Sequence, residues 1–313
     1  MAAVYIGLGL ILLGLTGLVG LRQWLLTRSI SAAPQHSVQA DLYPVADGWI
    51  AHLRGDNPQT TVIAMPGFLE NPQYFSRYYQ DPHIELILIS ATGYHQALHS
   101  NSFPTAPWTF SSTHPTGTIS ADAEILNLAL EYLPSTQNIR VHGHSRGGAV
   151  VLEAAQQRPD LFNSVEVLLE APVLPQGQLC RPSSMIARWL LPLLHLLWQR
   201  KPSICLSAPV WGPLQDSYKR ELITGMPFNP RNSRLMLTNL QDLLDWMHTR
   251  STDIYSHVQR GAILVPNKDG ILHSHSMLDS ARQAENLQII EVPEGSHFVL
   301  LDNPESIPPL RKT

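Results

Sequence analysis

After an opening stretch with no charged side chain, Ala2 to Leu21, the chain settles into short apolar runs separated by turn residues. Trp49 to Leu53 alternates and reads as a strand, and Thr61 to Met65 reads as a buried strand ended by the tight turn Pro66-Gly67. Glu85–Ile89 is another apolar run, and Ile139–His142, Val165–Leu169, Ala262–Val265 and Leu287–Val292 read as further strands. Ser120 is placed to cap a helix from Ala121 to Leu133, with Asp122 and Glu124 in its first turn and Pro134 after its end. Ile125, Leu128, Ala129 and Tyr132 form the stripe expected to be buried. A second helix is predicted from about Gly147 to Gln157, stopped before Pro159. Strands alternating with helices predict the α/β class, with a mostly parallel sheet covered on both faces.

The rhythm breaks between Glu170 and Gly261. Met185 to Trp198 is dense in Leu and Trp and is interrupted by Pro192; Leu235 to His248 is also helical in pattern. An insertion at about 171–260, before the last two strands, is where a lid is expected. Trp189, Leu190, Leu191, Leu193, Leu194, Leu196, Leu197 and Trp198 then form either a lid core or an apolar acyl channel touching the membrane surface.

The apolar N-terminus is long enough to span a bilayer as a transmembrane helix, with Arg22 and Arg28 after it and Trp24 at an interfacial position. Its rival reading is a secretory signal peptide, helped by the small residues Ser31, Ala32 and Ala33. The segment lacks a basic leading region, and positive charge on its C-terminal flank favours a cytoplasmic catalytic domain, with a secreted or periplasmic one as the alternative. The expected organisation is an anchor over 1–28, a polar, proline-containing linker over 29–43, and a domain over 44–313 carrying the insertion.

Composition narrows the function classes. Apolar residues make up 44% of the 313, enough for a sizeable core, and a charged fraction of 15% argues against disorder. The net charge is -4 and no Lys/Arg run appears, so nucleic acid is not an expected partner. The two cysteines, Cys180 and Cys205, lack metal-site spacing, no His-x-x-x-His with an acidic third ligand stands out, and no phosphate-cradling loop is present. No metal and no cofactor is therefore expected.

A serine hydroxyl is a poor nucleophile until a base, a group orienting that base, and donors for the oxyanion surround it. Strand, Gly143-His144-Ser145-Arg146-Gly147, helix is the sequence form of one such arrangement, with Ser145 raised above the sheet edge on a strained turn. Asp269 follows the run Ala262–Val265, and His297 follows Leu287–Val292 in Gly295-Ser296-His297-Phe298. Ser, then Asp, then His is the order this architecture uses, with His297 as base and Asp269 holding its tautomer. Glu170 is a reserve acid; His273 and His275 are reserve bases.

Gly-His-Ser-Arg-Gly-Gly, Met65-Pro66-Gly67-Phe68, Asp269 and Gly-Ser-His297-Phe together resemble the α/β-hydrolase superfamily, over roughly 43–304. The likeness is to its esterase, lysophospholipase and monoacylglycerol-lipase branch. The resemblance implies that the backbone N–H groups of Phe68 and Arg146 form the oxyanion hole. Many relatives carry His-Gly where this chain has Pro66-Gly67, and an apolar residue at the position of Arg146. A cation in a first helical turn opposes the dipole, so Arg146 is expected either to point to solvent, the favoured reading, or to meet an acidic group on protein or substrate.

The expected activity is a serine hydrolase cleaving carboxylic ester or thioester bonds of small apolar acyl substrates through an acyl-enzyme. An acyltransferase on the same triad and a non-catalytic, membrane-tethered binding module are the alternatives. An aspartate nucleophile, as in epoxide hydrolases, is disfavoured by Ser145.

Overall fold

The computed structural model describes residues 2–28, 36–90, 93, 98–181, 184–226 and 228–311. Among these, eight strands form one sheet. They are β1 Asp41–Val45, β2 Gly48–Leu53, β3 Thr60–Met65, β4 Ile84–Ser90, β5 Ile139–His144, β6 Glu166–Glu170, β7 Gly261–Pro266 and β8 Gln288–Val292. Their spatial order is β8-β7-β6-β5-β3-β4-β2-β1. From β4 through β3 to β8 all neighbours are parallel, whereas β2 runs antiparallel to β1 and β4. The seven strands read from the pattern are all present.

Both faces of the sheet are covered, so its central strands are buried almost along their whole length rather than alternating between core and solvent. Ile63, Ile87, Val141, Val167 and Ile263 face a core shared with the helices α2, Ile119–Tyr132, and α3, Arg146–Gln157. Val62, Ala64, Leu86, Leu88, Leu168 and Leu264 face the opposite core, with Phe75 and Val299. Parallel register aligns the strand ends: Met65 pairs with Gly143, and His144 with Glu170. The turns after β3, β5 and β6 therefore emerge along one edge.

Three local expectations change. Thr118, not Ser120, caps α2: its backbone is extended (φ −92°, ψ 156°) and its side chain accepts from the Ala121 N–H. Ser120 lies inside the helix and donates to Glu153. Within the expected stripe Ile125 and Ala129 are buried, but Tyr132 is exposed. Finally, the sheet begins at Asp41, inside the segment read as a linker. Pro44 disguises β1, yet an edge strand tolerates a proline because one side of it needs no ladder donor. His36–Ser37 also pairs with Leu98–His99; residues 29–35 of the expected linker lie outside the described residues.

Between β6 and β7 the insertion is helical: α4 Met185–Arg200, α5 Ser217–Thr224 and α6 Ser233–Thr249. α4 continues through Pro192 rather than breaking there. Only Pro192 and His195 of α4 are fully buried, while Met185 and Ile186 are exposed at 86% and 73%. The N-terminal helix α1, Ala2–Thr27, is long and apolar enough to cross a membrane and is exposed over most of its length. Its last turns are not. Leu25 and Leu26 are buried, the Arg22 Nε–H donates to the Trp189 carbonyl at 2.9 Å, and the Arg22 guanidinium lies 5.3 Å from the Trp189 ring. α1 thus ends docked on the inserted helix α4.

Candidate active site

Ser145 sits between β5 and α3 with φ 52° and ψ −120°, a region that side chains other than glycine rarely adopt. Three backbone bonds hold this turn. The Ser145 N–H donates to the Glu170 carbonyl at 2.9 Å, and the Ser145 carbonyl accepts from Gly148 at 3.0 Å and Val173 at 2.9 Å. A Cβ at Gly147 would collide with the Met65 carbonyl, so the first turn of α3 can lie against β3 only with glycine there. A Cβ at Gly67 would sit 2.9 Å from the Ser145 Cβ, which measures how closely the loop after β3 approaches the serine.

Asp269 and His297, 28 positions apart, are brought together: His297 Nδ1 donates to Asp269 Oδ2 at 2.7 Å. The other carboxylate oxygen accepts from the backbone N–H groups of Ile271 at 2.7 Å and Leu272 at 2.9 Å. The acid is thereby fixed from both sides, and the imidazole is left with Nε2 as its acceptor. The loop carrying Asp269 is itself pinned. The Cys180 N–H donates to the Ile271 carbonyl, and the Lys268 N–H to the Gly295 carbonyl. Ser145 is only 7% exposed and His297 2%, so this edge is covered.

Phe68 follows Gly67 in the loop after β3, and Arg146 is the first residue of α3. The favoured placement of Arg146 in solvent is overturned, and its alternative, an acidic partner on the protein, is found. It is 1% exposed, and its guanidinium meets the Asp122 carboxylate at 2.6 Å and the Gly117 carbonyl at 3.3 Å. Asp122 is buried as well, so a desolvated ion pair joins the starts of α2 and α3. A paired carboxylate offsets the unfavourable dipole more effectively than water would.

The reserve groups lie elsewhere. Glu170 is fully buried and accepts from the Tyr74 hydroxyl at 2.5 Å, the Leu300 N–H at 2.7 Å and His142 Nε2 at 3.0 Å, so its oxygens are committed away from His297. Burial pushes its pKa up, but the charge of His144 and bonds from His142 and Tyr74 outweigh burial and hold the carboxyl below its ordinary value. His273 caps the helix α7, Ser274–Ala281, and His275 is a surface group paired with Asp279 at 3.5 Å.

Two residues of the site were not singled out from the pattern. His144 Nδ1 lies 2.8 Å from Glu70 Oε2, and its Nε2 lies 2.9 Å from the His297 carbonyl. The same Glu70 oxygen accepts the Gly67 N–H at 2.6 Å. The His144 ring stacks on Tyr74 at 4.6 Å and lies 4.9 Å from the ring of His297. The signal available in sequence was a Glu within the apolar stretch Phe68-Leu69-Glu70 and a His in the fully buried run before Ser145.

Comparison with known proteins gives the same frame. No curated protein sequence matches the chain. Among solved structures, an esterase from Exiguobacterium antarcticum superposes with a TM-score of 0.59 at 14% identity, covering 85% of this chain and 96% of its own. A crystal structure described as a putative lipase from Acinetobacter baumannii gives 0.58 at 17% identity, covering 85% and 87%. A lipase-esterase related protein from Clostridium acetobutylicum gives 0.58 at 15% identity, covering 83% and 96%. At such identities these likenesses speak for the fold. The model of the alpha/beta hydrolase family matches residues 62–307, from within β3 through β8 with the whole insertion, and on this match the chain belongs to the alpha/beta hydrolase family.

Proposed function

We propose that this protein is a serine hydrolase that cleaves carboxylic esters or thioesters of apolar acyl compounds, held at a membrane by α1. The observation that carries the reading is the Asp269–His297 pair: a buried carboxylate, locked by two backbone donors, fixes the imidazole tautomer a base needs. Ser145 Oγ attacks the acyl carbon and its proton passes to His297 Nε2. The N–H groups of Phe68 and Arg146 receive the oxyanion. His297 then protonates the leaving alcohol or thiol as the acyl–oxygen or acyl–sulfur bond breaks, leaving the acyl group on Ser145. Water, deprotonated by His297, attacks this ester and releases the acid, and the proton returns to Ser145.

The apolar substrate class is supported by what surrounds the donor loop. Leu69 is part of a buried cluster with Cys205, Ile223, Met226, Phe228 and Met236 from the insertion, and Phe68, Leu191 and Trp198 pack against it. The wall nearest the expected oxyanion hole is thus built from lid side chains. Anchoring is supported by the docked end of α1. If residues 1–28 were removed as a signal, the contacts of Leu25, Leu26 and Arg22 would be lost and Trp189 uncovered.

The direct test is labelling by a fluorophosphonate together with p-nitrophenyl ester turnover, in the wild type and in Ser145→Ala. Labelling and turnover in the wild type, with both lost in a folded Ser145→Ala, is the expected result. Turnover near wild type in that variant would remove Ser145 from the nucleophile's role.

A further inference from the structure

Two histidines on β5, His142 and His144, are both buried, but their surroundings differ. His142 Nδ1 faces the Tyr79 hydroxyl at 2.9 Å, which can donate to it, while its Nε2 faces Glu170 at 3.0 Å. One donor and one acceptor suit a neutral ring, and burial lowers its pKa accordingly. His144 has no such donor opposite either nitrogen. Nδ1 faces a carboxylate oxygen of Glu70 and Nε2 faces the backbone carbonyl of His297, and both partners accept only. The ring satisfies both by carrying a proton on each nitrogen, as an imidazolium.

That ring joins three segments far apart in sequence. Its own backbone leads directly into Ser145. Glu70, 74 positions away, uses the same oxygen to hold the Gly67 N–H at 2.6 Å, immediately before Phe68. His297, 153 positions away, is held by its carbonyl at 2.9 Å. We propose that Glu70 and doubly protonated His144 form a positioning pair that fixes the oxyanion loop at Gly67–Phe68 and the base loop at His297 against Ser145. The inference rests on the hydrolase reading above and adds to the triad two residues that touch no reacting atom.

The groups around His144 decide how this pair responds to pH. They are Glu70 from the loop after β3, Tyr74 from the turn that follows, and His142 on its own strand. Glu170 lies on β6, and His297 and Phe298 lie in the last loop, where Lys219 of α5 sits 4.9 Å from the Phe298 ring. Burial alone lowers the pKa of His144, but the charges of Glu70 and Glu170 and the two hydrogen bonds outweigh it and raise it to about 9. A raised pKa means the charged form is kept below that pH and lost as pH rises through it. One of the two bonds then opens.

The test uses the full-length enzyme in detergent micelles, with p-nitrophenyl butyrate as substrate and kcat and KM followed from about pH 6 to about pH 10.5. Rates are normalised to the fraction labelled by fluorophosphonate. The wild type should lose kcat above about pH 9. Glu70→Gln, nearly isosteric, should lower kcat by roughly a hundred-fold, the scale of an ångström's misplacement, with KM little changed. It should also move the alkaline limb to lower pH, because the carboxylate that holds the proton on His144 is gone. His144→Gln should abolish that limb. A pair that only supported the fold would lower Tm and the labelled fraction, yet leave normalised kcat and the limb in place; that result overturns the proposal. Should both variants fail to fold, the wild-type profile decides alone, and constant kcat to the top of the range overturns it. Failure of the hydrolase reading looks different: the wild type would neither label nor turn over ester at any pH.

Discussion

The carboxylate of Asp269 divides its work between two partners: Oδ2 accepts His297 Nδ1–H at 2.7 Å, while Oδ1 accepts the N–H groups of Ile271 and Leu272. An asparagine would have to turn its carbonyl toward those two amides and its NH2 toward His297. The imidazole would then accept on Nδ1 and carry its proton on Nε2, where it cannot take one from Ser145. Asp269→Asn should therefore lower kcat by roughly four orders of magnitude while changing Tm little. Glu170→Gln should do the reverse. It leaves one of the buried groups around Tyr74, His142 and Leu300 unsatisfied, at a cost of about 1–3 kcal/mol, and much of the activity should survive. Paired measurements of kcat and thermal unfolding check both, and a crippled Glu170→Gln beside an active Asp269→Asn would reverse the assignment.

The buried Arg146–Asp122 pair predicts an asymmetry between single and double substitution. Asp122→Asn alone leaves the guanidinium desolvated and uncompensated and should cost about 3–5 kcal/mol. Asp122→Leu combined with Arg146→Met removes both charges and should cost less than either change alone. Urea unfolding of Asp122→Leu, Arg146→Met and the double variant measures the coupling. Additive losses would mean that the pair does not behave as a desolvated unit.

The docking of α1 on α4 ties the N-terminal helix to the inserted helices, so on the proposed reading anchor and lid act together. The full chain should remain with membranes through a carbonate wash, and a chain beginning at Ala33 should be released. Vesicles added to the assay should raise the activity of the full chain more than that of the shortened one, because only the former holds α4 beside the bilayer. A mature N-terminus cut near Ala33 would instead identify a secreted enzyme.

Lid side chains around Phe68 and Leu69 should also set substrate preference. Each buried methylene contributes about 0.8 kcal/mol, so kcat/KM should rise with acyl length until the channel is filled. Medium and long acyl esters should exceed acetate in a chain-length series on the shortened enzyme. A steady decline from acetate upward would point to a small-ester hydrolase whose lid residues serve packing alone.

Much of this architecture is written locally. Thr60–Met65 stands out as an apolar run because a strand covered on both faces shows solvent no polar side, and Ile139–His144 stands out because it leads into the Gly-x-Ser-x-Gly turn. Asp269 and His297 could be chosen from many acidic residues and 14 histidines because each follows a strand end in the required order. What stayed hidden depends on partners remote in sequence. Glu70 and His144 look like unrelated polar residues until the register of β3 and β5 brings their loops together. The sequence leaves Arg146 between solvent and an acidic partner because nothing nearby announces Asp122, 24 positions before it. Thr118 and Ser120 carry the same hydroxyl; only the backbone torsion at Thr118 decides which of them caps the helix.

The torsion at Ser145 also bears on how much this protein sacrifices for reactivity. A backbone near φ 52°, ψ −120° is the mirror image of ordinary extended chain, open to glycine and unfavourable for serine by about 1–3 kcal/mol. Leu69, beside the donor loop, and Ala171, just after β6, also take positive φ, at 61° and 41°. Three of the six non-glycine residues with positive φ among the described residues thus lie along the edge where chemistry is expected, and the rest of the fold must hold Ser145 in its turn. Replacing Ser145 by glycine would relax it: the variant should melt at a higher temperature than the wild type, and the difference would measure what the raised serine takes from the stability of the whole.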